Sequence, residues 1–354
     1  MDKLRESLKL IGKNEKLTNS FINFIKEVET NLNYQGVGSV RDDVTKYLVD
    51  ALFEKDDFKV KSTKDGIKFK FPVGVGSKVS REFLLSTPEI PEFAWEPQTT
   101  RLLLHLAKNS KNVIVGGAYF GDQSIPIAKL IEKNNGVVHA FDLNEMQCKT
   151  LQENASLNQL KNIKSVHSGL WNDSNTYLNL SDTDDLAFAT PSSDINKPNT
   201  ITIDEYVEKN SLGSVDLIML DIEGSEYNVL LGAKKQLGRP VEESPNIIFE
   251  IHSSYVNWDN GLEETDIVKY LRSFGYEMFS IRDFQGNYDL SNKKLELIPL
   301  VSTVLEGPKH GFNIVAVKNK ALLQDDMFRY CENVSPKYIA HKSPALHHPI
   351  DGLN

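Results

Sequence analysis

The sequence lacks the features that would place the chain in a membrane or in a disulfide-stabilised fold. Its 354 residues include only two cysteines, Cys148 and Cys331, too few for a disulfide framework or a cysteine metal site. No run of 18 apolar residues occurs, so we expect no transmembrane helix and no membrane partner. The first residues lack the apolar core of a secretion signal, and we therefore expect a cytoplasmic location.

Basic residues are also scarce relative to acids. The 40 Lys and Arg stand against 49 Asp and Glu, a net charge of −9. Because phosphate contacts require clustered cations, we expect no nucleic-acid partner. The remaining composition is that of a globular protein, and the length suffices for one catalytic domain with a smaller unit. A homo-oligomer is left open.

Residues 1–85 are predicted to form an N-terminal unit of helices and a hairpin. Apolar residues recur at helical spacing over 17–32 and 44–53. Two strictly alternating segments then flank Lys64-Asp65-Gly66, which predicts a β-hairpin. We expect the lysines of these segments to share one exposed face. They are Lys59, Lys61, Lys68 and Lys70.

The rest of the chain predicts a linker over 86–98, an α/β domain over 99–320 and a surface tail over 321–354. Alternating strands and helices indicate a doubly wound, mostly parallel sheet that ends in an antiparallel pair. Predicted strands cover 113–116, 137–142, 163–167, 215–221, 246–251, 278–282 and 312–317. Predicted helices cover 99–107, 124–133, 145–157, 203–209, 226–236 and 263–273. The polar segment 172–200 is expected to be a lid or a disordered insert.

A glycine-rich turn follows the first predicted strand of this domain, and the next strand ends in an acid. The turn is Gly116-Gly-Ala-Tyr-Phe-Gly121, and Asp142 lies 21 residues beyond it. Such a unit cradles a nucleoside, since the carboxylate accepts hydrogen bonds from ribose hydroxyls. Two adenosine-type ligands compete for it, NAD(P) and S-adenosylmethionine. The alternative is a tight turn without a ligand.

The glycine positions favour S-adenosylmethionine. A dinucleotide fingerprint needs Gly-x-Gly-x-x-Gly for close approach of the pyrophosphate, and Ala118 occupies the place of the second glycine. S-adenosylmethionine has no phosphate, so that approach is not required. We expect a side chain at Gly121 to intrude on the ligand or to force an unfavourable backbone angle.

Acids end two further predicted strands. Asp221 follows one apolar run and Glu250 lies near the end of the next. The carboxyl ends of parallel strands open onto the ligand crevice, so these two acids and Asp142 are predicted to lie at one site.

Four short motifs together resemble the FkbM family of S-adenosylmethionine-dependent O-methyltransferases, over roughly residues 95–320. They are Gly117-Ala-Tyr-Phe-Gly-Asp-Gln-Ser124, Phe141-Asp142, Thr202-Ile-Asp204 and Asp221-Ile-Glu-Gly-Ser-Glu226. The resemblance implies a seven-stranded class I methyltransferase fold, which is Rossmann-like, and methyl transfer to a hydroxyl of a small molecule, sugar or glycan precursor. One departure is Ile114, where family members often carry an acid that contacts the methionine amine.

The resemblance also implies which residues contact the cofactor. They are Gly116, Gly117, Ala118, Tyr119, Gly121, Gln123, Ser124, Asp142 and Asp221. Two alternatives to an O-methyltransferase stay open, an NAD(P)-linked oxidoreductase and a methyltransferase-like module that binds without catalysis.

Activation of an alcohol requires a base or a cation that lowers the hydroxyl pKa. His252 is the obvious base, and Glu223 and Glu250 are the other catalytic candidates. Asp221 and Glu250 offer the hard oxygen ligands that magnesium uses. Of the two routes we favour the metal-free one.

Overall fold

The computed structural model describes residues 2–32, 40–86, 92–181, 187–290, 292–307 and 309–338. Residues 87–91 of the expected linker, 182–186 of the polar segment and 339–354 of the expected tail lie outside this range. The chain divides into two compact units. The first holds the described residues up to Trp95 together with Gly286–Asp289, and the second holds the other described residues from Glu96 onward.

The first unit consists of four helices and a hairpin. Its elements are α1 (Asp2–Gly12), α2 (Glu15–Asn31), a π-helical turn (Arg41–Thr45), α3 (Lys46–Asp50), β1 (Phe58–Ser62), β2 (Lys68–Pro72) and α4 (Lys78–Leu85). Strands β1 and β2 pair antiparallel, as the alternating segments predict. The ring of Phe83 in α4 packs against Phe69 and Phe71 of β2, with centroid distances of 5.1 and 5.4 Å.

The prediction that four lysines share one exposed face is wrong. Lys59 lies opposite Phe71 and Lys61 opposite Phe69. Directly opposed residues of antiparallel strands project from the same face, so these two lysines share the face of the buried phenylalanines. The amine of Lys61 donates to the carbonyl oxygen of Leu84 at 2.5 Å. Alternation within each strand is visible in the sequence, whereas the register between the strands is not.

The second unit contains a nine-stranded sheet. Four further strands of this unit, β6 to β9, lie outside the sheet. In chain order, the strands of the unit are β3 (Asn112–Gly116), β4 (Val137–Asp142), β5 (Ile163–His167), β6 (Gly169–Leu170), β7 (Tyr177–Leu180), β8 (Ala189–Ser192), β9 (Thr200–Ile201), β10 (Leu217–Leu220), β11 (Asn246–His252), β12 (Glu277–Ile281), β13 (Leu295–Pro299), β14 (Gly311–Val317) and β15 (Phe328–Tyr330). The sheet order is β5-β4-β3-β10-β11-β14-β12-β13-β15. The run from β5 to β11 is parallel, and β14 is antiparallel to both of its neighbours. The predicted class I α/β fold is confirmed.

Seven helices connect these strands. They are α5 (Pro97–Ala107), α6 (Ser124–Ile131), α7 (Glu145–Leu157), α8 (Ile203–Lys209), α9 (Glu226–Leu231), α10 (Lys234–Leu237) and α11 (Asp266–Ser273). All four residues of β10 are buried, as expected for a central parallel strand covered on both faces. Among the described residues, no helix is long and apolar enough to cross a membrane.

The sheet has two strands more than the predicted seven. The additional strands are β13 and β15, which pair with each other in parallel. Strand β15 belongs to the expected surface tail, and Leu323, Phe328 and Tyr338 are buried. The tail prediction is therefore wrong for residues 321–338. A three-residue strand carries too little periodicity to be recognised in the sequence.

The polar segment 172–200 is also more ordered than expected. Strands β7 and β8 pair antiparallel, and Leu178 of β7 is buried. Strand β9 pairs in parallel with β6. The described part of this segment is therefore β-structure rather than a disordered insert, and its expected role as a lid stays a prediction.

Candidate active site

The glycine turn after β3 is in backbone contact with the end of β10. Gly117 has φ +77°, and the amides of Gly117 and Ala118 both donate to the carbonyl oxygen of Phe141 at 3.0 Å. A Cβ added to Gly117 would lie 1.8 Å from the carbonyl oxygen of Asp221. Only glycine fits here, and its absence of a side chain brings the two strand ends together.

Gly121 has a structural role different from the expected one. A Cβ there would lie 2.4 Å from Leu151 Cδ1 and 3.0 Å from Ile125 Cγ1, both buried core side chains. Its φ of +94° fits the expected backbone constraint, and its contact with a ligand stays a prediction.

Other residues of the turn also contact protein. A Cβ on Gly116 would lie 3.0 Å from Leu220 Cδ2. Gln123 and Ser124 are buried, and the Ser124 hydroxyl has no hydrogen-bond partner among the described residues. As cofactor contacts these three residues remain predictions.

Asp142 lies at the end of β4, next to the turn. Its Oδ2 accepts a hydrogen bond from the Tyr119 amide at 2.9 Å, and its Oδ1 accepts one from the Asn144 amide at 2.8 Å. Tyr119 has φ +47°, which directs its amide at this carboxylate. Burial raises the pKa of Asp142 to about 6. Each carboxylate oxygen keeps lone-pair capacity for a further donor such as a hydroxyl.

A sharp turn follows β10 and is held by Glu226. Glu226 Oε1 accepts hydrogen bonds from the amides of Ile222 at 3.0 Å and Gly224 at 3.3 Å. Burial raises the pKa of Glu226 to about 7. Glu223 and Gly224 both have positive φ, +52° and +94°. Glu226 thus fixes the turn that carries Glu223. This contact explains why the second and third acids of the Asp-Ile-Glu-Gly-Ser-Glu motif stand three residues apart.

Three carboxylates meet beyond the ends of β10 and β11. Asp221, Glu223 and Glu250 each place one oxygen within 4.8 Å of the other two. Burial, followed by the neighbouring carboxylates, raises the pKa of Asp221 and of Glu250 well above the usual range. Two strand ends were predicted to bring Asp221 and Glu250 together, and the structure places Glu223 with them.

Glu96 is a member of the same electrostatic network that the sequence did not indicate. It precedes α5 with φ +41°, and it is 4% exposed. Its Oε2 accepts a hydrogen bond from Asn313 at 2.7 Å, and its Oε1 accepts one from Gln285 at 3.2 Å. Burial raises the pKa of Glu96. Burial, and after it the charge of Glu96, also raises the pKa of Asp221 and of Asp122, the latter to about 7. Glu96 lies far from these acids in sequence, so no local pattern could reveal it.

His252 ends β11 beside these acids. Its Nδ1 accepts a hydrogen bond from the Ser254 amide at 2.9 Å. An amide only donates, so the neutral imidazole carries its proton on Nε2 in this arrangement. Nε2 is then a donor. The prediction that His252 acts as a base stays a prediction, and this bond opposes it.

The acids of this site have little cationic compensation. Among the described residues, neither Asp221 nor Glu226 nor Glu250 forms an ion pair with Lys or Arg. Buried carboxylates without such partners are neutralised by protons or by a cationic ligand. The site is therefore built to receive positive charge.

Residues 116–278 match the sequence profile of the methyltransferase FkbM domain. This part of the chain is therefore similar to the methyltransferase FkbM domain. The matched residues extend from the glycine turn to β12, and they include the turn, Asp142, the three converging carboxylates and His252. The resemblance seen in the motifs is thereby confirmed.

Several solved structures with a similar arrangement are distant in sequence. A methyltransferase FkbM from Methylobacillus flagellatus shares 18% identity over 48% of this chain and 39% of its own, with a TM-score of 0.31. This chain thus spans about two-fifths of that protein. An rRNA methylase from Streptococcus thermophilus shares 13% identity over 62% of this chain and 93% of its own, with a TM-score of 0.35.

A third similar structure is TYW2 of Pyrococcus horikoshii in complex with MeSAdo. It shares 14% identity over 76% of this chain and 74% of its own, with a TM-score of 0.36. These values are too low to transfer an acceptor or a mechanism. A comparison with curated proteins finds no match.

Proposed function

We propose that the FkbM domain transfers a methyl group from S-adenosylmethionine to a hydroxyl of a small molecule or carbohydrate. The observation that carries this proposal is the group of buried carboxylates near the ends of β10 and β11, two of which, Asp221 and Glu250, form no ion pair with Lys or Arg among the described residues. S-adenosylmethionine brings a sulfonium and an ammonium, whereas NAD(P) would bring an anionic pyrophosphate close to Asp221 and Glu250. The sulfonium and the ammonium stabilise the ionised form of the buried carboxylates, whereas a pyrophosphate does not. Ala118 also disfavours the dinucleotide.

The order of the strands supports one orientation of the donor. Asp142 and Asp221 lie at the ends of β4 and β10, with β3 between them. Neighbouring strands are about 4.8 Å apart, so these carboxylates are separated by roughly 10 Å across the glycine turn. A nucleoside whose ribose hydroxyls bind Asp142 would then extend over the turn and direct its sulfonium toward Asp221.

Glu96 and Asp122 are our candidates for the methionine amine. Ile114 in β3 is a buried apolar side chain in the position where relatives often carry the amine-binding acid. Glu96 approaches the same strand ends from α5, and its carboxylate is oriented by Asn313 and Gln285. Glu96 or Asp122 would then supply, from a different element, the negative charge that Ile114 lacks.

The chemical step is an in-line displacement. The acceptor oxygen forms a bond to the methyl carbon while the bond from that carbon to sulfur breaks, and the electron pair stays on sulfur. The acceptor proton must leave as the new bond forms. Because His252 Nδ1 is occupied by the Ser254 amide, we assign proton acceptance to the carboxylates of Glu250 or Glu223 rather than to the imidazole.

A labelling experiment tests this function. The full chain is incubated with methyl-labelled S-adenosylmethionine and a panel of sugars, polyols, phenols and RNA, and products are identified by mass spectrometry. We expect a methyl ether in a hydroxylated small molecule and little label with Asp142→Asn. Label on RNA, on nitrogen or on carbon would contradict the acceptor class. Reduction of NAD with an alcohol would contradict the reaction itself.

A further inference from the structure

We propose that Asp221, Glu223 and Glu250 form a binding site for a divalent cation of the magnesium or manganese class. This inference rests on the proposed function in one respect only, namely that the cation would lie where the acceptor hydroxyl must lose its proton. Binding of the cation itself depends on the three side chains and not on S-adenosylmethionine.

The distances between the carboxylates fit one ion. Their ligand oxygens lie within 4.8 Å of one another. Oxygen ligands lie at about 2.1 Å from magnesium and about 2.4 Å from calcium, so two oxygens on the same ion are separated by at most roughly 4.2 to 4.8 Å. The observed spacing meets the wider of these limits, and magnesium would require the three oxygens to move slightly closer together.

Two buried oxygens at this place have no hydrogen-bond partner among the described residues. One is Glu250 Oε2, within the three-carboxylate group itself. The other is Oδ1 of Asn313, which lies opposite Glu250 on β14 and is 3% exposed. Leaving a buried acceptor without a partner costs about 1–3 kcal/mol, more for a charged group. A cation and its coordinated water would satisfy both atoms.

The surrounding backbone is arranged to present these carboxylates. A Cβ on Gly311, the β14 partner of His252, would lie 2.1 Å from Glu250 Oε1, so this glycine leaves room for the carboxylate. The turn that carries Glu223 is fixed by Glu226 through two amides. Glu226 is thus engaged with the backbone, while the other three acids face one another.

A bound cation would complete the chemistry of the site. A hydroxyl coordinated to a divalent cation has a lowered pKa and would lose its proton to the oxygen of Glu223 or Glu250 that does not contact the ion. The resulting alkoxide attacks the methyl carbon, and the sulfur keeps the electron pair of the broken bond. The ion would also offset the like charges of the three carboxylates.

The test is a titration of the full chain with manganese alone, followed by electron paramagnetic resonance, with S-adenosylmethionine absent. We expect one bound ion per chain, displaced by magnesium. Glu250→Gln and Asp221→Asn should each weaken manganese binding at least tenfold. Glu223→Gln gives a third variant in case either of these fails to fold by circular dichroism.

Asp142→Asn is the matched control, since it changes an acid at the end of β4 outside the three-carboxylate group. Asp142→Asn should leave the affinity for manganese unchanged and weaken the binding of S-adenosylhomocysteine. Glu250→Gln should weaken the binding of manganese and leave that of S-adenosylhomocysteine unchanged. Wild-type protein that binds no manganese, or variants that bind it as tightly as wild type, would overturn the cation site. A wild-type protein that binds manganese but not S-adenosylhomocysteine would instead overturn the proposed function and leave the cation site standing.

Discussion

At the scale of single residues, Asp142 and His252 have different relations to their neighbours. Asp142 accepts one amide on each oxygen and keeps capacity for two more donors. His252 uses its only free nitrogen lone pair on the Ser254 amide. The first residue is therefore poised to accept hydrogen bonds from a ligand, and the second is poised to donate one.

Asp142→Asn should weaken binding of S-adenosylhomocysteine by about 10- to 100-fold, because it removes a charge-assisted contact worth about 1.5–3 kcal/mol. Isothermal titration measures the change. Glu145→Gln, an exposed acid three residues further on, is the control and should bind as wild type does. Equal affinities for the Asp142 variant and the control would remove Asp142 from the site.

His252→Ala should lower the methyl-transfer rate by less than about tenfold if the imidazole only donates a hydrogen bond. A positioned base is worth roughly two to four orders of magnitude, so the two roles are easily separated by kcat. A loss in that larger range, together with a rate that falls as pH drops below about 6.5, would restore His252 as the base.

At the scale of elements, the site is formed by the contact between the β3 turn and the end of β10. Gly117 permits this contact, since its missing Cβ position lies 1.8 Å from the Asp221 carbonyl oxygen. Gly213, in the loop before β10, also has positive φ, +74°, but it is surrounded by open space. Substitutions at Gly117 and Gly213 therefore separate two costs to stability, that of a left-handed backbone angle and that of the contact with β10.

Gly117→Ala should destabilise the fold by about 2–5 kcal/mol, because the left-handed angle costs about 1–2 kcal/mol and the forced separation of two strand ends adds an overpacking cost of about 1–3 kcal/mol. Gly213→Ala should cost only about 1–2 kcal/mol. Urea denaturation measures both. Equal losses in the two variants would show that the contact with β10 is unimportant.

At the scale of the whole molecule, the parallel half of the sheet and most of its helices follow from the sequence, because long apolar periodicity fixes them. The predicted bounds 137–142, 145–157 and 203–209 coincide with β4, α7 and α8. Strand β15 was not predicted because it has only three residues, and β13 was also missed although it is as long as β3 and β5. Glu96 was not predicted as a site residue because only the tertiary structure brings it to Asp221. The prediction that four lysines share one face failed because the register between β1 and β2 cannot be deduced from either strand alone.

The buried acids should make the unliganded protein less stable as pH rises. Burial raises the pKa of Glu226 and of Asp283 to about 7, whereas in the unfolded chain both titrate near their ordinary values, about 4. Between these limits the folded state binds more protons, so stability falls with rising pH, and the contribution of these two groups levels off above about pH 7. Urea midpoints at pH 5.5 and 7.5 measure this, and Glu226→Gln should reduce the difference. Stability that increases between pH 5.5 and 7.5 would contradict the raised pKa of these two buried acids.

The most direct test of the central claim is an isothermal titration of the full chain with S-adenosylmethionine, S-adenosylhomocysteine and NAD. The acidic site predicts one bound molecule of either adenosyl compound per chain and no detectable binding of NAD. Tight binding of NAD, or failure of both adenosyl compounds to bind, would contradict the account.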